Sequence, residues 1–207
     1  MNKANHKNSF HNLISCFAIT VLLLVPVNVI ATGENTWRDP REFFFIQSFG
    51  DLPEELQTAR EQGKKGMFLF FESEGCSYCR AMLNKVFSNE QVQDWFRKHF
   101  LSIAVDIHGD VEIKDFDGIT LPSKVFSDHR KVFVTPTVAF IDLHGDEIYR
   151  HTGMIRTPDA FLIMGEYIVD GHYFDTEFRV FAERKGLKEQ ETLVTPGGDG
   201  SSSGEEE

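Results

Sequence analysis

The 207 residues carry 32 acidic against 21 basic side chains, a formal charge of −11, with eight histidines counted as neutral. An acidic surplus of this size argues against nucleic acid or an anionic membrane surface as partner, because both are held by clustered Lys and Arg. It accounts for solubility and names no substrate.

Met1 to Asn12 is polar, with Lys3 and Lys7 and no acid, and Leu13 to Ile30 is almost wholly apolar. A basic start followed by an apolar stretch predicts a secretory signal over residues 1–31, and the small residues Val29 and Ala31 place cleavage after Ala31. The stretch approaches the roughly 20 residues that cross a bilayer, so an uncleaved anchor is the alternative. Leu13-Ile14-Ser15-Cys16 has the letters of a lipoprotein box, but most of the apolar stretch follows Cys16 instead of preceding it, which argues against lipidation. Export, to the periplasm or otherwise out of the cytoplasm, leaves a dithiol's redox state to a dedicated partner instead of the glutathione pool. Without the signal, 19 basic residues face 32 acidic ones, a charge of −13.

Residues 32–48 read as an N-terminal extension, extended from Thr32 to Pro40, with Phe43-Phe44-Phe45-Ile46 suited to a buried or edge strand. Asp51 caps a helix with Pro53 in its first turn and Leu56 and Ala59 on its apolar stripe, up to the Gly63-Lys64-Lys65-Gly66 break. Gly66 to Glu72 is a short apolar run of the kind that forms a buried strand, and Ala81 to Phe87 has helix-forming composition. Between them lies Gly75-Cys76-Ser77-Tyr78-Cys79-Arg80, which holds the only cysteines outside the N-terminal apolar stretch. Ser88-Asn89-Glu90-Gln91 matches a capping box, opening a helix that carries Val92, Trp95 and Phe96 inward toward a strand from Phe100 to Asp106. The stretch from Ile107 to Arg130 is mixed in charge and broken by Gly109, Gly118 and Pro122; it predicts a loop, then a short helix from Ser123 to about His129.

Pro136 stands at the head of an otherwise good strand, Val134 to Asp142, a position that tolerates proline and where a tight functional approach often makes it cis. His144-Gly145-Asp146 turns that strand back into Glu147 to His151. Thr157 caps a helix with Pro158 at its first position, and Phe161, Leu162, Met164, Tyr167 and Ile168 form its buried side until Gly171 ends it. A last helix, about Thr176 to Lys185, stops at Gly186. Residues 187–207 are polar and of low complexity, which predicts a disordered acidic tail.

The chemistry concentrates at the strand-to-helix turn. A helix's first turn leaves backbone N–H groups unpaired and presents roughly half a positive charge, which stabilises a thiolate at Cys76. Cys79, one turn on, faces the same side and can attack a mixed disulfide formed by Cys76. Redox chemistry is the reading favoured by a Cys-x-x-Cys beside a strand and helix; a structural disulfide or half a zinc site are the alternatives. Zinc normally takes four ligands from a second pair at short spacing, and His108, His129, His144, His151 and His172 are scattered without one. A copper or zinc metallochaperone would use the same two cysteines, with Met82 and Met154 as further ligands.

The succession of strand, Gly-Cys-x-x-Cys, helix, strand, helix, Thr135-Pro136-Thr137, strand, turn, strand and helix resembles the thioredoxin superfamily. Phe70-Phe71-Glu72 before the cysteines, the long path to Val134-Thr135-Pro136-Thr137, and Tyr167 through Gly171, Tyr173 and Phe178 are similar to the exported SoxW-like thioredoxins. The resemblance covers about residues 49–186. It implies an α/β, thioredoxin-like fold, a central mixed β-sheet flanked by helices, with an insertion before the strand that follows a cis-Pro136. It also implies that the backbone of Thr135 pairs with an extended substrate segment, that Cys76 is the exposed nucleophile and Cys79 the buried resolving thiol, and that the two close a Cys76–Cys79 disulfide. Ser77 and Tyr78 match the dipeptide that tunes the potential, and since neither is a cation that stabilises the thiolate, a reductase is expected in preference to an oxidase or isomerase. No cofactor site is visible, so a membrane thiol-disulfide electron donor would have to re-reduce a monomeric enzyme. The implied substrates are protein disulfides, in sulfur oxidation or cytochrome maturation.

Two positions depart from thioredoxin proper. Its buried Asp six residues before the first cysteine, proton acceptor for the resolving thiol, is Phe70 here, and its Trp just before that cysteine is Gly75. Glu72 and Glu74 are the nearest acids, and Glu72 is either a replacement relay or a solvated surface acid.

Overall fold

The computed structural model describes residues 37–188 and 193–194. The expected signal segment and most of the expected tail lie outside the described residues. The first helix is a single turn, α1 (Pro40–Phe43), capped by the Asp39 carboxylate, which accepts from the Arg41 N–H at 2.8 Å. This corrects the strand expected over Phe43–Ile46. Phe44 and Phe45 are both buried, and neighbours in a strand point to opposite faces, whereas the close of a helical turn drops both rings into one core.

The next elements are α2 (Leu52–Glu61), β1 (Gly66–Glu72), α3 (Ser77–Met82) with a π-turn at Leu83–Phe87, α4 (Glu90–His99) and β2 (Phe100–Asp106). Asp51 caps α2 through the Glu54 N–H, as expected. In α4 the capping oxygen is that of Asn89, bonded to Val92 N–H, while Ser88 Oγ donates back to the Asn84 carbonyl; the capping box read from Ser88 is displaced by one residue. After the insertion, which holds β3 (Glu112–Lys114), β4 (Thr120–Pro122) and α5 (Ser123–His129), come β5 (Thr137–Asp142) and β6 (Glu147–Thr152). The chain then runs through β7 (Met154–Ile155), α6 (Pro158–Val169) and α7 (Phe178–Arg184) to β8 (Leu193–Val194).

The main sheet has the order β2-β1-β5-β6, with β1 parallel to β2 and antiparallel to β5. Its central strand β1 is buried on both faces. Phe68 and Phe70 point into a core shared with α3, α4, α6 and α7, while Met67, Leu69 and Phe71 point into a second core closed by α2 and α5. The first core is a lattice of rings: Phe87 lies 4.9 Å from Phe70, 5.0 Å from Phe44 and 5.1 Å from Phe161. Among the described residues no helix is long and apolar enough to cross a membrane.

The insertion of 107–130 contains the helix expected at Ser123 and, in place of the expected loop ahead of it, a β3–β4 hairpin. It is fixed by Asp115, 3% exposed, whose carboxylate receives Arg130 Nε at 3.1 Å and Arg130 Nη2. At the C-terminus Leu187 joins the ring-lined core, and β8 pairs antiparallel with β7, so residues assigned to a tail return to the domain at these points.

Candidate active site

β1 delivers the chain to the Cys-x-x-Cys turn, and α3 starts one residue after the first cysteine. Gly75 adopts φ +81°, a left-handed conformation that costs glycine little and a side-chain-bearing residue more. Cys76 occupies the helix N-cap, with its Sγ accepting from the Cys79 N–H at 3.0 Å. That N–H is one of the unpaired donors of a first helical turn, so it is positioned to hold a thiolate on Cys76. Cys76 N–H in turn donates to the Ser73 carbonyl at 3.2 Å, and its own carbonyl accepts from Arg80 N–H at 3.2 Å. The two cysteines are joined as a disulfide with Cα atoms 5.3 Å apart. Cys79 is buried at 2% exposure against the ring core, Cys76 is half-buried, and Ser77 and Tyr78 are exposed beside it. The sulfur open to attack from solvent is therefore that of Cys76.

The Thr135–Pro136 peptide is cis. Three bonds hold this loop: Thr137 Oγ1 donates to the Val134 carbonyl at 2.7 Å, Gly153 N–H donates to the Pro136 carbonyl at 2.8 Å, and the Ser73 and Thr135 hydroxyls lie 3.0 Å apart. The last of these ties the loop to the segment that presents the cysteines. Phe133 and Val134 remain largely exposed just ahead of it. The fold thus brings Thr135, some sixty residues downstream, to Ser73, three residues ahead of Cys76.

Glu72 is no solvated surface acid. Its side chain is 14% exposed, and both oxygens are gripped by the Arg41 guanidinium at 2.6 and 2.7 Å. A cleft of about 370 Å³ is lined by Arg41, Glu72, Ser73, Cys76, Cys79 and Asp106 among others, so the carboxylate and both cysteines share one recess. Phe70, where thioredoxin proper has its acid, is fully buried and stacks on Phe45 at 5.7 Å. Arg41 and Ser73 were not legible as site residues, Arg41 because it lies 35 positions before Cys76 in what reads as an extension. Met82, considered as a further metal ligand, is wholly buried in the ring-lined core.

Residues 52–168, more than half of the chain, match the family of the thioredoxin-like domain. The chain belongs to the thioredoxin-like family. With its Cys76–Cys79 pair it is a thiol-disulfide oxidoreductase of that family. Among solved structures, the thioredoxin-like chain is similar to a thioredoxin-fold protein from Helicobacter pylori, with 23% identity and a TM-score of 0.55 over 72% of this chain and 96% of that one. It is also similar to a DsbH oxidoreductase (18% identity, TM-score 0.45, 68% and 96% covered) and to a thioredoxin from Thermus thermophilus (24%, 0.43, 60% and 94%). No curated protein sequence matches it.

Proposed function

We propose that this thioredoxin-like protein is an exported, monomeric reductase of protein disulfides. The observation that carries the reading is the asymmetry of the pair: a half-buried Cys76 at a helix start, bonded to an N–H, and a buried Cys79, with the residue before the cis proline tied to Ser73. In the reduced protein the Cys76 thiolate attacks one sulfur of a substrate disulfide, whose other sulfur leaves as a thiolate and takes a proton. Cys79 then gives up its proton and attacks Cys76 Sγ, which frees the second substrate thiol and closes Cys76–Cys79. Two electrons have passed to the substrate, and a membrane thiol-disulfide donor returns them.

Glu72 is the acceptor for the Cys79 proton in this scheme, a reading supported by the recess it shares with that residue. Thr135 offers its backbone to an extended substrate segment, as the resemblance implies. The same resemblance, to the SoxW-like thioredoxins, makes proteins of sulfur oxidation or cytochrome maturation the substrates to try first. Export rests on the basic and apolar pattern of residues 1–31.

The deciding measurement is the Cys76–Cys79 reduction potential, taken on residues 32–207 equilibrated in glutathione and dithiothreitol buffers. A value near about −270 mV, as in thioredoxin, supports the reductase; one near roughly −120 mV, as in DsbA, makes the protein a donor of disulfides.

A further inference from the structure

Ser73 bonds to both halves of the site. Its carbonyl accepts from the Cys76 N–H at 3.2 Å, which fixes the turn presenting the nucleophile. Its hydroxyl lies 3.0 Å from the hydroxyl of Thr135, the residue before the cis proline. The other two bonds on that loop, from Thr137 to Val134 and from Gly153 to Pro136, join it to itself and to the end of β6, and neither reaches the cysteine turn. Ser73 follows directly on β1, whose ladders with β2 and β5 hold it in register. It therefore works as a spacer anchored in the sheet.

We propose that Ser73 is a positioning residue that sets the span between Cys76 Sγ and the backbone of Thr135, and so favours extended protein disulfides over small ones. The proposal rests on the reductase reading above. A protein substrate engages two points at once, its sulfur at Cys76 and its backbone at Thr135, so a small shift in the span misaligns the attack. A small disulfide engages Cys76 alone and does not read the span. Because the serine contributes through its side-chain hydroxyl on one side and its backbone carbonyl on the other, Ser73→Ala cuts the tie to the loop while leaving the bond to Cys76 in place.

The test compares kcat/KM for insulin reduction with kcat/KM for hydroxyethyl disulfide in the wild type, Ser73→Ala, Ser73→Thr and Thr135→Val. Loss of one neutral hydrogen bond should lower the insulin-to-small-disulfide ratio by about 3- to 10-fold in Ser73→Ala, chiefly through KM for insulin. Ser73→Thr, which keeps the hydroxyl, should restore the ratio. Thr135→Val removes the bond from its other end, so it should lower the ratio by a similar factor, and the double variant should be no worse than either. An active wild type whose ratio survives both Ser73→Ala and Thr135→Val overturns this proposal alone, as does an equal fall on both disulfides. A wild type that reduces neither disulfide overturns the functional reading and this proposal with it.

Discussion

On one face of the sheet the strand residues meet a lattice of rings, and on the other they meet mostly aliphatic chains, with Phe71 stacked on Phe126 as the ring pair there. Phe68 and Phe70 of β1 lie among Phe44, Phe45, Phe87, Phe96, Phe140 and Phe161, whereas Met67 and Leu69 lie among Leu52, Leu56, Ile103 and Ile141. The redox helix stands on the ring side: Cys79 and Met82 belong to that core, and Phe87 ends the π-turn that continues α3. Rings pack edge to face at fixed separations, so they locate a helix more sharply than aliphatic chains that repack at small cost. The aliphatic side bears the insertion, which α5 seats there through Phe126 and the buried Asp115–Arg130 pair closes. The comparison teaches that the site is held in place from the ring side and that sequence added on the other side leaves that support untouched.

The contrast can be broken first at Phe87. Phe87→Ala removes a ring in contact with five others and should cost about 3–5 kcal/mol by urea denaturation, with a further loss of insulin turnover because α3 loses its footing. Leu56→Ala, on the aliphatic face, should cost about 3 kcal/mol and leave the Cys76–Cys79 potential where it was. An equal shift of potential in both variants would erase the distinction between the faces.

Acid is the next probe. His151 is the cross-strand partner of Val138 on the ring side and is 6% exposed; burial pushes its pKa down from 6.5 to about 4, against a smaller opposing bond at Gly153. Between those pH values the unfolded chain binds the proton and the folded one resists it. Stability is therefore full above about pH 6.5 and falls by roughly 3 kcal/mol as pH drops to 4. The difference in unfolding free energy between wild type and His151→Asn, measured by urea denaturation from pH 7 to pH 4, should narrow by that amount.

Smaller effects follow. Gly165 lies where α6 crosses α4, and a Cβ there would sit 2.3 Å from the Trp95 ring. Gly165→Ala should destabilise by about 1–3 kcal/mol in thermal melts, since overpacking outweighs the roughly 1 kcal/mol of helix propensity gained. Thr157→Ala deletes the cap on Ala160 N–H and should cost about 1 kcal/mol, with the redox potential unchanged.

Much of this was legible in the sequence wherever a local rule applied. Asp51, Thr157, Gly171 and Gly186 start or stop helices as their cap chemistry dictates, and β2 runs over the residues its alternation marks out. The redox pair was legible because two cysteines three apart at a strand-to-helix turn carry their chemistry in their spacing. What escaped is what depends on distant partners. Three-residue strands such as β3 and β4 are too short to show a period, and Gln93, fully buried in a polar-looking stretch, donates its Nε2 to the carbonyls of Arg38 and Phe87. Arg41 on Glu72 and Ser73 on Thr135 are pairings across 31 and 62 residues, which no local pattern announces.

The stretch ahead of α2 bears on how the protein survives in concentrated solution. β2 is the outer strand of the main sheet, and a bare outer strand offers its free N–H and C=O groups to a strand from any neighbouring molecule. Here the Ile46 N–H occupies the Ser102 carbonyl at 2.9 Å, while Phe44 and Phe45, just before it, anchor the segment in the ring core. A fragment begun at residue 52, where the family match begins, would lose that guard and leave Phe70 and Phe87 without their covering rings. Such a fragment should self-associate and precipitate where residues 32–207 stay in solution, because the dozen residues that precede the family match cover both the edge and the rings.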